Sequence, residues 1–196
     1  LDFNSRSYIF LLEDIMKNTK VTLLPLAPED RENFIKDNQW AFKYGAIMEF
    51  GERDDHTDSD GEIISRETIE ECIDAPESEA YRIMLGDKKV GGAVIKIDEN
   101  THHNHLELFF VLPDEHSKGI GYGAWQAIEA LHPETLIWET CTPYFEKRNI
   151  HFYVNKCGFH IVEFFNEYNP EPNPPECDGC EGEGPDEMFR FIKIMK

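Results

Sequence analysis

Apolar positions along the chain change their spacing several times, and each change marks an element. Val21-Thr-Leu-Leu-Pro25 is a short strand-like run. Pro28 follows in the first-turn position that proline favours and predicts a helix through Phe34. Residues 51–62 are almost wholly polar and read as a loop. Ser65 then stands where a cap belongs, ahead of a helix whose apolar side is Thr68-Ile69 and Cys72-Ile73.

From Glu79 the period drops to two, with Tyr81, Ile83 and Leu85 on one side. Gly86-Asp87-Lys88 is a turn and Val90 to Ile97 the returning strand, so this pair predicts a hairpin. Asp98 to His105 reads as a second turn region, and Leu106 to Leu112 is apolar enough to predict a strand buried on both faces. Gly121 to Leu131 is helical, with Trp125, Ile128 and Leu131 at helical spacing, and Leu136 to Thr140 is a strand. A helix lies within Thr142 to Lys156, closed by Gly158 in the C-cap position. Phe159 to Phe165 and Met188 to Ile194 are the closing strands. The order β-α-α-β-β-β-α-β-α-β-β predicts an α/β (α+β) fold, a mixed sheet flanked by helices. Between the last two strands, Asn166 to Glu187 is rich in Pro, Gly and acid and is expected to be a surface loop dispensable for folding.

Composition sets limits on this picture. The chain has 196 residues, enough for one domain with a full core, and 16–196 is read as that domain. Residues 1–15 look foreign to it, with Met16 a candidate start, and are expected to be added or upstream sequence. No run reaches the roughly 20 apolar residues of a membrane span. The odd cysteine number, 5, argues for a reducing, cytoplasmic setting. A net charge of −20 repels nucleic acid and anionic membranes and attracts cations. Much of the acid falls between Glu49 and Glu79, including Asp54, Asp55 and Asp58.

The densest chemical signal is Leu112-Pro-Asp-Glu-His116-Ser117-Lys118-Gly119-Ile120-Gly121-Tyr122-Gly123. A strand runs into a glycine-rich loop that opens a helix, a placement that suits a diphosphate because backbone amides can approach it and the helix N-terminus favours negative charge. The dinucleotide fingerprint wants its first glycine close behind the strand, whereas six residues, Pro113 to Lys118, intervene here. The nucleotide-triphosphate loop wants Gly-Lys-Ser/Thr, which is absent.

The motif and the order of elements together resemble the GNAT superfamily of N-acetyltransferases. Its Gln/Arg-x-x-Gly-x-Gly/Ala signature reads His116-Ser-Lys-Gly119-Ile-Gly121 here, with His in place of Gln or Arg. Its aromatic-Tyr pair ahead of Gly-Phe reads Phe152-Tyr153 ahead of Gly158-Phe159, and its helix Asn seven residues before the Tyr is replaced by Glu146, with Asn149 instead four before. The resemblance spans residues 19–196 and implies a mixed six- to seven-stranded sheet flanked by helices, with acetyl-CoA as cosubstrate. It implies that His116 to Gly123 and Asn149 contact that cosubstrate, and that Val111 and Leu112 pair their backbone with its pantetheine arm. It implies Tyr153 as general acid and Glu107 as general base, with Glu139 the competing carboxylate. Acetyl transfer is then direct, to a small amine that the acidic charge suggests is cationic. A non-catalytic acyl-CoA-binding module and a protein or peptide N-acetyltransferase are the alternatives. A homodimer is left open. No metal is expected: Cys177 and Cys180 lack a second ligand pair, and His102-His103-Asn-His105 reads as a solvated turn.

Overall fold

The computed structural model of the chain describes residues 20–51, 61–116, 118–172 and 187–196. Seven strands are present: β1 (Val21–Pro25), β2 (Ser78–Leu85), β3 (Lys88–Lys96), β4 (His103–Val111), β5 (Ile137–Pro143), β6 (His160–Phe165) and β7 (Met188–Ile194). They form one mixed sheet in the order β1-β2-β3-β4-β5-β7-β6, in which only the β4–β5 pair is parallel. Among the described residues four helices accompany it: α1 (Arg31–Phe50), α2 (Arg66–Asp74), α3 (Ile120–Leu131) and α4 (Lys147–His151), the last continued by a wider π turn over Phe152–Cys157. Among the described residues no helix is long and apolar enough to cross a membrane.

The local signals act as expected at most ends. The Ser65 hydroxyl accepts from the Thr68 amide at 3.0 Å and starts α2. Gly158, at φ 81°, ends the π turn in the left-handed conformation that an L side chain resists. The first helix differs from expectation. Pro28–Asp30 is only a tight turn, and the helix proper starts at Arg31 and runs on to Phe50. Its apolar residues fall on more than one side: Phe34, Ile35 and Ala41 are buried while Trp40, Ile47 and Met48 are exposed. No single stripe announces its length.

Strand β4 also departs from expectation, in extent and in burial. It begins at His103, because His103, Asn104 and His105 pair with Ile137, Trp138 and Glu139 of β5. Its burial alternates, and it carries a bulge: Val94 of β3 pairs with Leu108 and the next residue, Ile95, with Leu106, which leaves Glu107 unpaired. The bulge reverses the alternation. Leu106 packs with Trp125, Trp138 and Phe159 under α3. Leu108 and Phe110 pack on the opposite face with Phe34, Ile35 and Ile69 of α1 and α2. Trp125 and Trp138 meet edge to face at 5.5 Å and are fully buried, so each withdraws a large apolar surface from water.

Candidate active site

Beyond His105 and Glu139 the parallel pairing of β4 and β5 stops, and the two strands diverge. The Thr140 hydroxyl donates to the Leu106 carbonyl at 2.9 Å and pins the apex of the gap. On the β3 side of β4 the Leu112 amide donates to Val90 at 2.8 Å. An antiparallel ladder alternates, so the amides of Phe109 and Val111 point away from β3, into the gap. Leu112 itself has no free backbone group, since its carbonyl accepts from the Glu115 amide at 2.9 Å. The Val111 carbonyl is also taken: the His116 ring nitrogen Nε2 donates to it at 2.8 Å. Burial lowers the pKa of His116 and the carbonyl partner only partly offsets that, so the ring is a neutral donor tying the loop to the strand.

The loop then enters α3. Gly119 has φ 75°, a left-handed turn that aims the following amides outward. Among the described residues no side chain caps α3, which leaves its first amides as donors at the positive end of the helix. Beside them lies a groove of about 560 Å³ lined in part by Lys20, Val21, Lys118, Gly119 and Gly123. Glu115, buried behind the loop, is an unexpected anion for such a place. Lys88 and Lys118 both pair with it and hold its carboxyl below the usual range. Gly121 and Gly123 have a packing role. A Cβ at Gly121 would lie 3.3 Å from the Phe152 ring, and one at Gly123 would lie 3.0 Å from Val21. Tyr122 is exposed, Ile120 is buried under the sheet, and Ser117 lies outside the described residues.

Tyr153 is buried on the α3 side of the gap, its ring against Phe152, Phe159 and Phe191. Burial first, then neighbouring Cys157, raises its pKa, with the Thr140 hydroxyl as its hydrogen-bonding neighbour. The phenol therefore stays protonated throughout the neutral range. Four residues, Val154 to Cys157, separate Tyr153 from Gly158, and they wind through the π turn. Asn149, four residues earlier and expected to contact the cosubstrate, is exposed while Tyr153 is buried, so the two do not share one environment.

The other face of the gap is polar. Trp138 and Thr140 are buried on the α3 side of β5, so Glu139 and Cys141 point to the opposite face. The bulge sets Glu107 on that face too, exposed and without a hydrogen bond or ion pair to any described residue. Glu139 is engaged. Burial opposes its charge, but Arg190, donating at 2.8 and 3.2 Å, outweighs that and holds the carboxyl below its usual range. His103 meets it at 2.9 Å. Glu171 comes back from the loop after β6; burial and the charges of Glu139 and Glu107 raise its pKa. Burial, then Glu171 and Glu139, pushes the Cys141 thiol up to about 12, which makes it a poor nucleophile at neutral pH. The far half of α1 reaches this region: Tyr44 lies 5.7 Å from the His116 ring, and Gly45 stands beside Glu146.

Sequence reasoning reached the loop, Tyr153, Glu107 and Glu139, and the fold brings these to one gap. It missed Glu171, hidden in a run of prolines and acids, and the gap-facing Phe109, which reads only as one more apolar strand residue. Asp54, Asp55 and Asp58 lie outside the described residues.

Comparison with known proteins bears on the family and the fold. The chain is 49% identical over 185 residues to the uncharacterised protein YrkN of Bacillus subtilis, covering 92% of this chain and 97% of that one. Its fold superposes on an acetyltransferase of Thermus thermophilus with a TM-score of 0.62 at 15% identity, covering 90% and 97% of the two chains. It also superposes on the spermidine N-acetyltransferase of Vibrio cholerae, solved with CoA and spermine, with a TM-score of 0.60 at 12% identity over 89% and 95%. Residues 39–159, more than half of the chain and including β4, the glycine loop and the π turn, match the acetyltransferase (GNAT) family, and the chain belongs to that family.

Proposed function

We propose that the protein transfers the acetyl group of acetyl-CoA directly to an amine of a small cationic acceptor. The observation that carries this reading is the β4–β5 gap, with open amides along one wall, a buried phenol on one face and unneutralised carboxylates on the other. The CoA diphosphate sits on the uncapped amides of α3, with Lys20 and Lys118 beside it. The pantetheine arm pairs with the Phe109 and Val111 amides as an added strand would. The role foreseen for Leu112 passes to Phe109.

The acceptor enters from the Glu107 face. Its protonated nitrogen gives a proton to Glu107, directly or through water, and the free amine attacks the thioester carbonyl carbon. The carbon–sulfur bond breaks and the departing thiolate takes the Tyr153 proton, while the acetylated nitrogen sheds its second proton, which restores the phenol. Glu139 is the poorer base, because Arg190 already occupies it. Two features support a cationic acceptor: Glu107 and Glu171 gather on the entry face, and the Vibrio cholerae neighbour is a spermidine N-acetyltransferase. Dependence on acetyl-CoA suits the cytoplasm.

The test is thiol release from acetyl-CoA with a panel of monoamines, diamines and polyamines. Release is expected with the polycations, and Tyr153→Phe is expected to lower kcat by about 10²-fold with CoA affinity unchanged. CoA binding by calorimetry without thiol release for any amine would make the chain a non-catalytic acyl-CoA-binding module. Activity only on a peptide amine would make it a protein acetyltransferase.

A further inference from the structure

We propose that His103, His105 and Glu139 form a binding site for one divalent transition-metal ion of the zinc type. His103 and His105 stand two apart on β4 and so share a face, and their rings stack at 5.1 Å with 7° between planes. Glu139 comes from β5, directly in register with His105. One ligand atom from each residue lies within 4.8 Å of the others, and His103 Nε2 is already 2.9 Å from Glu139 Oε2. Zinc takes nitrogen and carboxylate oxygen at about 2.0–2.2 Å, which sets tetrahedral ligands roughly 3.4 Å apart. The present spacing, within 4.8 Å, exceeds that by about 1.4 Å at most, a difference within the reach of side-chain rotation. The His102-to-His105 run looks like a turn in the sequence; pairing with β5 makes it a two-imidazole edge with a carboxylate opposite.

The surroundings suit a cation. Arg190 grips Oε1 of Glu139 at 2.8 Å and Oε2 only at 3.2 Å, so the oxygen nearest His103 is the less committed one. Arg190 then acts as the outer partner that fixes the carboxylate, and its charge is met by Glu163 at 2.8 Å. Glu107 and Glu171 add negative field nearby, each close enough to raise the pKa of a neighbour. His105 makes no hydrogen bond to any described residue, so binding breaks none of its own. Two imidazoles and one carboxylate favour zinc, copper or nickel over magnesium or calcium, which prefer all-oxygen shells. Three protein ligands leave a position for water or a donor atom of a small molecule, on the face where the acceptor is expected.

The experiment is zinc titration of the metal-stripped full chain against a chromophoric chelator, with cobalt substitution as a spectroscopic check. One ion per chain is expected, with a Kd near or below about 1 μM and visible cobalt bands. His103→Ala, His105→Ala and Glu139→Gln are each expected to weaken zinc at least about 10-fold and to remove the cobalt bands. His105→Gln keeps the side-chain volume and is the variant to use if the alanine forms melt early. The double variant Cys177→Ser/Cys180→Ser is expected to bind as the parent does. No binding below about 100 μM, binding untouched by the three substitutions, or binding lost only with the two cysteines would each overturn the proposal.

Discussion

Two charged clusters in this molecule are built on opposite plans. One is sealed. Arg82 is fully buried; its Nε donates to Asp30 and its Nη1 to Asp37, both at 2.7 Å, while Lys89 closes on Asp30 from outside at 2.7 Å. Two cations meet two anions, and the Phe34 ring lies 5.1 Å under the guanidinium. The other cluster is the open face of the β4–β5 gap. There Glu139 and Glu163 both pair with Arg190, and Glu107 and Glu171 lie nearby without an ion pair to any described residue. The sealed cluster ties α1 to β2, and its charges cancel. The open one keeps surplus charge in partial contact with water, an arrangement that does little for stability and much for attracting a cation. Balance marks the sealed cluster, and imbalance marks the one proposed to receive the acceptor.

Breaking the sealed cluster should give the largest effect. Asp30→Asn leaves Lys89 unpaired and Arg82 with Asp37 alone, and a destabilisation of about 3–5 kcal/mol is expected in denaturant unfolding. The pH dependence follows from the direction of the Asp30 shift. Burial works to raise its pKa, but Arg82 and Lys89 outweigh burial and lower it below the ordinary aspartate value of 3.8. Its contribution is therefore full above that value and is lost as pH falls through the lower folded value. Acid unfolding of the parent should steepen below about pH 4, and Asp30→Asn should lose that step. An unchanged acid profile would mean that this pair does not govern it.

On the open face the effect should appear in rate and leave stability alone. Glu107→Gln is expected to lower kcat/KM by about 10²-fold, with Tm changed little because Glu107 is exposed at a bulge. Should Glu171→Gln cause the larger fall, Glu171 is the base and Glu107 only shapes the field. If Glu107 is the base, Glu171→Gln should lower kcat/KM several-fold for a diamine and hardly at all for an uncharged-tail monoamine, with a difference that shrinks as salt rises. An equal response of both amines would remove charge from acceptor choice. The smallest effect is expected from removing residues 173–186, a run rich in Pro, Gly and acid: about 0.5 kcal/mol or less, provided Glu171 and the Glu187 carbonyl that accepts from Tyr144 at 2.9 Å are kept. A large loss of stability would give that run a packing role.

What the sequence makes legible follows from the range of the interactions involved. The element order and the glycine loop are local, carried by period-two runs, Ser65, Gly119 and Gly158, and they appear where the pattern puts them. The continuation of α1 past Phe34 is less visible, because Trp40, Ile47 and Met48 stay exposed and blur its stripe. The bulge at Glu107 is invisible locally, since it exists only in the pairing with β3. Glu171 is harder still, for nothing in Asn169-Pro-Glu-Pro172 announces that this acid returns to the gap. The burial of Tyr153 and the exposure of Asn149, four residues apart, are not legible locally, because the π turn at Phe152–Cys157 intervenes only once the fold forms.

The bulge in β4 has a consequence for how the molecule comes apart. Leu106 belongs to the cluster under α3, and Leu108 and Phe110 belong to the cluster under α1 and α2. One continuous strand is thus stitched into two cores, and neither core can loosen without unsealing the other. Partial opening has to spare β4 and begin elsewhere, at β1 or at β6 on the sheet margins. Amide hydrogens of β4 that are bonded into the ladder with β3 should exchange only when the whole domain unfolds. The β4–β5 gap is then bordered by the stretch of backbone expected to open last.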